Sequence, residues 1–61
     1  MIIATYFNET KNIRSEFQQI GADAYSVKRY RPGYKEDTWE LSGEWYFDSY
    51  KKAEAFYNNN K

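Results

Sequence analysis

From Trp39 to Phe47 the chain reads WELSGEWYF, with Trp39, Leu41, Gly43, Trp45 and Phe47 alternating against Glu40, Ser42, Glu44 and Tyr46. A period of two sustained over that length calls for an extended strand with one apolar and one polar face. Gly43 interrupts the run, leaving either one strand bent there or two short arms joined around Ser42-Gly43. One bent strand is preferred, because a tight turn at 42 and 43 leaves arms of only three or four residues. The rest of the chain must supply a layer to cover the apolar face. Trp39, Leu41, Trp45 and Phe47 are therefore all assigned to the core side.

The flanking segments are read against that strand. Ile2 to Phe7 is extended, with Ile3, Thr5 and Phe7 on one face and Ile2, Ala4 and Tyr6 on the other. Apolar groups on both faces predict an interior strand. Asn8 to Asn12 is a polar link in which Thr10 and Asn12 are candidate helix caps. Ile13, Phe17 and Ile20 recur at steps of four and three, the stripe of an amphipathic helix over 12–20. Gly21 is placed to stop it in the left-handed region.

Ala24 to Tyr30 reads as a strand with Tyr25 and Val27 on one face and Tyr30 on the other. Pro32-Gly33 suits the two central positions of a type II turn, inside a loop spanning 31–37. A last helix over 49–58, capped by Asp48 or Ser49, gathers Tyr50, Ala53, Phe56 and Tyr57 on one face. Asn58 to Lys61 is expected to fray. The order is β-α-β-β-α, which predicts an α+β fold with a single domain over 1–61. It is drawn as a two-layer sandwich, a three-stranded mixed sheet with two helices packed on one face. The Trp-rich strand takes the centre, antiparallel to both neighbours.

Composition narrows the functional classes. A chain of 61 residues buries only roughly 60% of the surface exposed by its unfolded form. It contains neither cysteine nor histidine, which argues against zinc sites, thiolate chemistry and imidazole catalysis. Glu40 and Glu44 share a strand face but stand about 13 Å apart by strand rise. Paired-carboxylate hydrolysis needs about 5 to 9.5 Å. The adjacent Glu36 and Asp37 alone do not build an octahedral magnesium cage. No glycine lies in a phosphate-cradling motif. The expectation is a protein that is not an enzyme and takes no cofactor or metal. The longest apolar run, Met1 to Ala4, is too short for a membrane span or a signal segment. No targeting extension is expected before the domain, and a cytoplasmic location is expected.

Nine basic and nine acidic residues cancel, but the signs are segregated. The stretch VKRYRPGYKEDTW sets Lys28, Arg29, Arg31 and Lys35 around Tyr30 and Tyr34, then turns acidic at Glu36-Asp37. Exposed rings beside positive charge can stack on single-stranded nucleic acid. The acidic run that follows, with Glu40 and Glu44, would repel phosphate, and zero net charge is a poor footprint for backbone binding. Tyrosine and arginine are also the residues enriched at protein interfaces.

The aromatic content of 21% serves partly to build a small core. It also leaves Ile2, Ala4, Tyr6, Tyr30 and Tyr46 for an uncovered sheet face beside Lys28, Glu40 and Glu44. Such a patch marks an interaction surface. The leading expectation is a small protein-binding domain that modulates or blocks a larger protein partner, with a homodimer as a further state. Its candidate contact residues are Arg29, Tyr30, Arg31, Tyr34, Tyr6, Tyr46, Glu40 and Glu44. Nucleic-acid binding through residues 28 to 35 is the alternative, and a structural subunit of a larger assembly is the third class. Abundant Tyr, Asn, Lys and Ile match an A+T-rich coding sequence of viral or plasmid type.

Overall fold

The computed structural model describes all 61 residues. Four strands and one helix follow in chain order: β1 (Ile2–Asn8), β2 (Ile13–Gly21), β3 (Ala24–Pro32), β4 (Trp39–Phe47) and α1 (Tyr50–Asn60). Each strand pairs antiparallel with the next, giving a meander of order β1-β2-β3-β4. The helix packs over β2, β3 and β4, and the opposite sheet face carries no layer.

This overturns the two-helix sandwich and its three-stranded mixed sheet. The segment expected as a helix over 12–20 is β2. Ile13 and Phe17 fit both periods, since steps of four preserve the face of a strand as well as of a helix. Ile20 decides between them. It is the extra residue at the β2–β3 register shift and is 52% exposed, whereas Phe17 is paired with Val27 and 2% exposed. Between them Arg14, Glu16 and Gln18 share the uncovered face, where Glu16 stands opposite Lys28 across the ladder. A helix would have needed Ile20 in the core.

The positions expected of strands and turns shift accordingly. β1 is an edge strand, not an interior one, and β4 is the other edge; β2 and β3 form the centre. No glycine takes a positive φ, so neither the left-handed stop at Gly21 nor the type II turn at Pro32-Gly33 forms. The left-handed residues are Asn12 (φ 53°) and Asp37 (φ 62°), in the β1–β2 and β3–β4 connections. The Gly33 N–H donates to the Thr38 carbonyl at 2.8 Å, closing the second connection.

The helix face of the sheet is the core. Phe17 and Val27 lie beneath Ala53 and Tyr57, with Ile3, Ala4, Tyr25, Phe47 and Phe56 packed around them. The Phe17 ring meets Tyr50 at 5.4 Å and Tyr57 at 5.6 Å, and Trp45 meets Phe56 at 4.8 Å. Ser49 caps the helix by accepting from the Lys52 N–H. At the other end the chain does not fray. Helix geometry runs to Asn60, whose carbonyl accepts from the Arg29 guanidinium at 2.9 Å. Lys61 then sits over the Tyr6 and Tyr57 rings.

One feature of β4 controls the second face. The strand is single, as preferred, but its register with β3 shifts between Arg29 and Tyr30, where Ser42 is the extra residue. An extra residue reverses the facing of everything beyond it. Trp45 and Phe47 stay under the helix, while Trp39 and Leu41 turn to the uncovered face. Gly43 lies directly beneath the Trp45 indole, which a Cβ at that position would overlap. The expected assignment of all four large residues to the core is therefore corrected at Trp39 and Leu41.

Candidate functional site

Cross-strand register places Phe7, Arg14, Tyr30 and Leu41 in one row on the uncovered face, one from each strand. Trp39, opposite Pro32, lies one step further along β4. Phe7 and Trp39 come from opposite edges of the sheet, three strand spacings or about 14 Å apart on a flat sheet. Their rings nevertheless meet edge to face, with centroids 5.7 Å apart and planes at 80°. The Cα atoms of β1 and β4 stay more than 8 Å apart, so the two side chains meet by reaching inward across the face. Of the three register shifts, that of β3–β4, between Arg29 and Tyr30, lies at this end, and those of β1–β2 and β2–β3 lie toward the other.

Phe7, Trp39 and Leu41 remain exposed, at 47%, 38% and 52%, and Tyr30 is half-buried beside them. They form an apolar patch that the fold gathers and leaves open. Tyr34, at the tip of the 33–38 loop, is 98% exposed and has its whole ring in solvent. No concave pocket opens anywhere on the surface, and no group of three or more metal-ligating side chains comes together.

Beside the patch runs a charged row, Glu16, Lys28 and Glu44, across β2, β3 and β4. Lys28 Nζ is 3.4 Å from Glu44 Oε2. The hydrogen bond to Glu44 raises the Lys28 ammonium above its ordinary range, against the opposing effect of partial burial. Glu44 is lowered, first by the Tyr46 hydroxyl that donates to it and also by Lys28. Tyr46 is raised in turn, since the Glu44 carboxylate disfavours a phenolate beside it. Glu16 accepts from the Gln18 amide. The row beyond is Gln18, Ser26 and Tyr46, in which the Ser26 hydroxyl is buried without a hydrogen-bond partner.

The residues expected to form the contact surface divide between two faces. Tyr30, Tyr46 and Glu44 lie on the uncovered face, together with Lys28. Tyr6 lies on the helix side, its ring under Lys61. Arg29 also points to the helix side, where it binds the Asn60 carbonyl and stacks over Trp45 at 5.4 Å. Arg31 and Glu40 pair on that same side beyond the helix end, 3.5 Å apart and mostly exposed. Of the four basic residues around Tyr30 and Tyr34, Lys35 alone has no carboxylate or backbone partner. Glu36 and Asp37 are exposed in the loop.

Phe7, Trp39 and Leu41 were absent from the expected surface. The alternation of β1 gives Ile2, Ala4 and Tyr6 to the uncovered face, whereas Ile3 and Ala4 pack on the core and, beyond the register shift at Ile2/Ala4, Thr5 and Phe7 take the uncovered face. For Trp39 and Leu41 no sequence signal separates a nine-residue alternation from one reversed by a bulge at Ser42. No known protein family, no curated protein and no solved structure matches the chain.

Proposed function

We propose that this chain is a small protein-binding domain whose docking surface is the aromatic end of the uncovered sheet face. The observation that carries this reading is the meeting of Phe7 and Trp39 across the sheet, next to Tyr30 and Leu41 and without any covering layer. Large rings held by a rigid sheet lose little entropy on binding and are frequent anchors in interfaces. The row Glu16–Lys28–Glu44 supplies a polar rim of both signs, the usual anatomy around an apolar centre. A surface without a concave pocket suits a macromolecule better than a small ligand. By occupying that surface on a larger protein, the domain modulates or blocks its partner.

Charge favours protein over nucleic acid. Lys28, Arg29 and Arg31 each spend their charge on Glu44, the Asn60 carbonyl and Glu40 respectively. A phosphate-tracking groove instead needs several unpaired cations in a row. The test is capture from a nuclease-treated native extract by the immobilised wild type, a Trp39→Ser/Leu41→Ser variant and a Lys51→Glu helix control. A protein retained by the wild type and the control, and lost by the patch variant, supports the reading. Equal retention by all three overturns it, as does oligonucleotide binding that disappears between about 50 and 200 mM salt.

A further inference from the structure

The two sheet edges are not alike. β4 carries Glu40 and Glu44, an extra residue at Ser42 and a glycine, the features by which an edge avoids further pairing. β1, Ile2–Asn8, carries no charge and no proline. The helix packs on β2, β3 and β4 and leaves β1 uncovered. Its register shift lies between Ile2 and Ala4, so Ala4 to Asn8 present a regular ladder edge. Met1, Ile2, Tyr6 and Phe7 along it are all exposed. This regular, unpaired and uncharged edge is a template for another strand.

We propose that β1 pairs antiparallel with β1 of a second copy, about a twofold axis through Thr5, to give a continuous eight-stranded sheet. A strand that meets its own copy must tolerate its own charges, and β1 has none to oppose. A twofold at Thr5 sets the small Ala4 of each copy against the bulky Tyr6 of the other. A twofold at Tyr6 would bring together two tyrosine rings, each with a Lys61 ammonium 5.1 Å away, and is disfavoured by like charge. The net charge of zero removes long-range repulsion between copies. The isologous contact closes on itself, as most homodimers do. Both helices then lie on one side, and the two uncovered faces join on the other. This contact uses the backbone edge and shares only Phe7 with the aromatic patch proposed above.

The test uses sedimentation equilibrium and single-cysteine crosslinking, which is clean because the chain has no cysteine. The wild type should dimerise with Kd on the order of 10 to 100 μM, as expected of a contact smaller than the standard interface. Thr5→Lys faces Glu16 across β1–β2 within one copy but opposes its own copy at the twofold, and like charges directly opposite destabilise a ladder. It should weaken dimerisation about 2- to 5-fold. Its thermal melt at low concentration should be unchanged. Thr5→Cys should form a disulfide dimer under mild oxidation at least about 10-fold faster than Glu54→Cys on the exposed helix surface, and this arm stands even if Thr5→Lys misfolds. Trp39→Ser should dimerise like the wild type. A wild type that stays monomeric at about 1 mM overturns the proposal. Equal crosslinking at the two cysteine positions does the same, and so does a folded Thr5→Lys variant that dimerises undiminished.

Discussion

Truncating Phe17 and Ile20 one at a time separates the strand β2 from the helical stripe that the same residues imitate. Phe17 is 2% exposed and touches the rings of Tyr25, Tyr50 and Tyr57 at 6.3, 5.4 and 5.6 Å. Removing a buried phenylalanine costs about 3 to 5 kcal/mol. A chain of this length has a total stability of roughly 3 to 9 kcal/mol, so Phe17→Ala should lose about a third of it or more. Phe17→Leu keeps most of the volume and loses the ring contacts, for an expected cost of about 1 to 2 kcal/mol. Ile20 is half in solvent and unpaired at the β2–β3 register shift, and Ile20→Ala should cost less than about 1 kcal/mol. Urea titration followed by far-ultraviolet circular dichroism gives both midpoints in one experiment. An Ile20→Ala variant as damaged as Phe17→Leu would place both residues in one core stripe and refute the four-stranded sheet.

Gly43→Ala should destabilise by about 1 to 3 kcal/mol, because the added methyl displaces the Trp45 indole lying over that position; tryptophan fluorescence and a thermal melt together check it. Ser26→Ala removes a buried hydroxyl that has no partner and should be neutral or stabilising by up to about 1 kcal/mol. Glu44 is held below its ordinary 4.5 and Lys28 above its ordinary 10.5. The Glu44 contribution is present above 4.5 and lost as pH falls through its lowered value; that of Lys28 is present below 10.5 and lost as pH rises through its raised value. Stability measured across pH should therefore be steadier in between, and Glu44→Gln should make both outer limbs shallower. Tyr34→Ala should leave the melt unchanged, its ring being in solvent, and weaken a partner complex by at least about 1 kcal/mol in a calorimetric titration.

The readable parts of the fold were those where one period alone fits. Trp39 to Phe47 alternates too long to be anything but extended, and Tyr50, Ala53, Phe56 and Tyr57 cannot share a strand face. Both segments take the expected form. β2 misleads because it buries one large residue, Phe17, and fills the uncovered face with Arg14, Glu16 and Gln18. A strand open to water on one side needs few apolar residues, and two isoleucines at its ends complete a false helical stripe. The site was legible in kind rather than in place. Tyr30 and Tyr46 are expected on an uncovered face and lie there, while Tyr6 and Arg29 both stand across from Ser15 on the helix side, where Lys61 and Asn60 meet them. Trp39 and Leu41 reach the surface through a single extra residue, and a bulge at Ser42 leaves no mark in the alternation. β1 was expected in the interior for its apolar composition, yet that composition sits on an edge.

The aromatic end of the uncovered face, where Phe7 meets Trp39, is the proposed contact surface. It is tested most directly by mapping amide chemical-shift changes in the isotope-labelled domain as a purified retained partner is added. The largest changes should fall at Phe7, Arg14, Tyr30, Trp39 and Leu41, with α1 unaffected. Changes centred on Lys51, Glu54 and Asn58 of the helix, with the Phe7–Trp39 end unmoved, would contradict it.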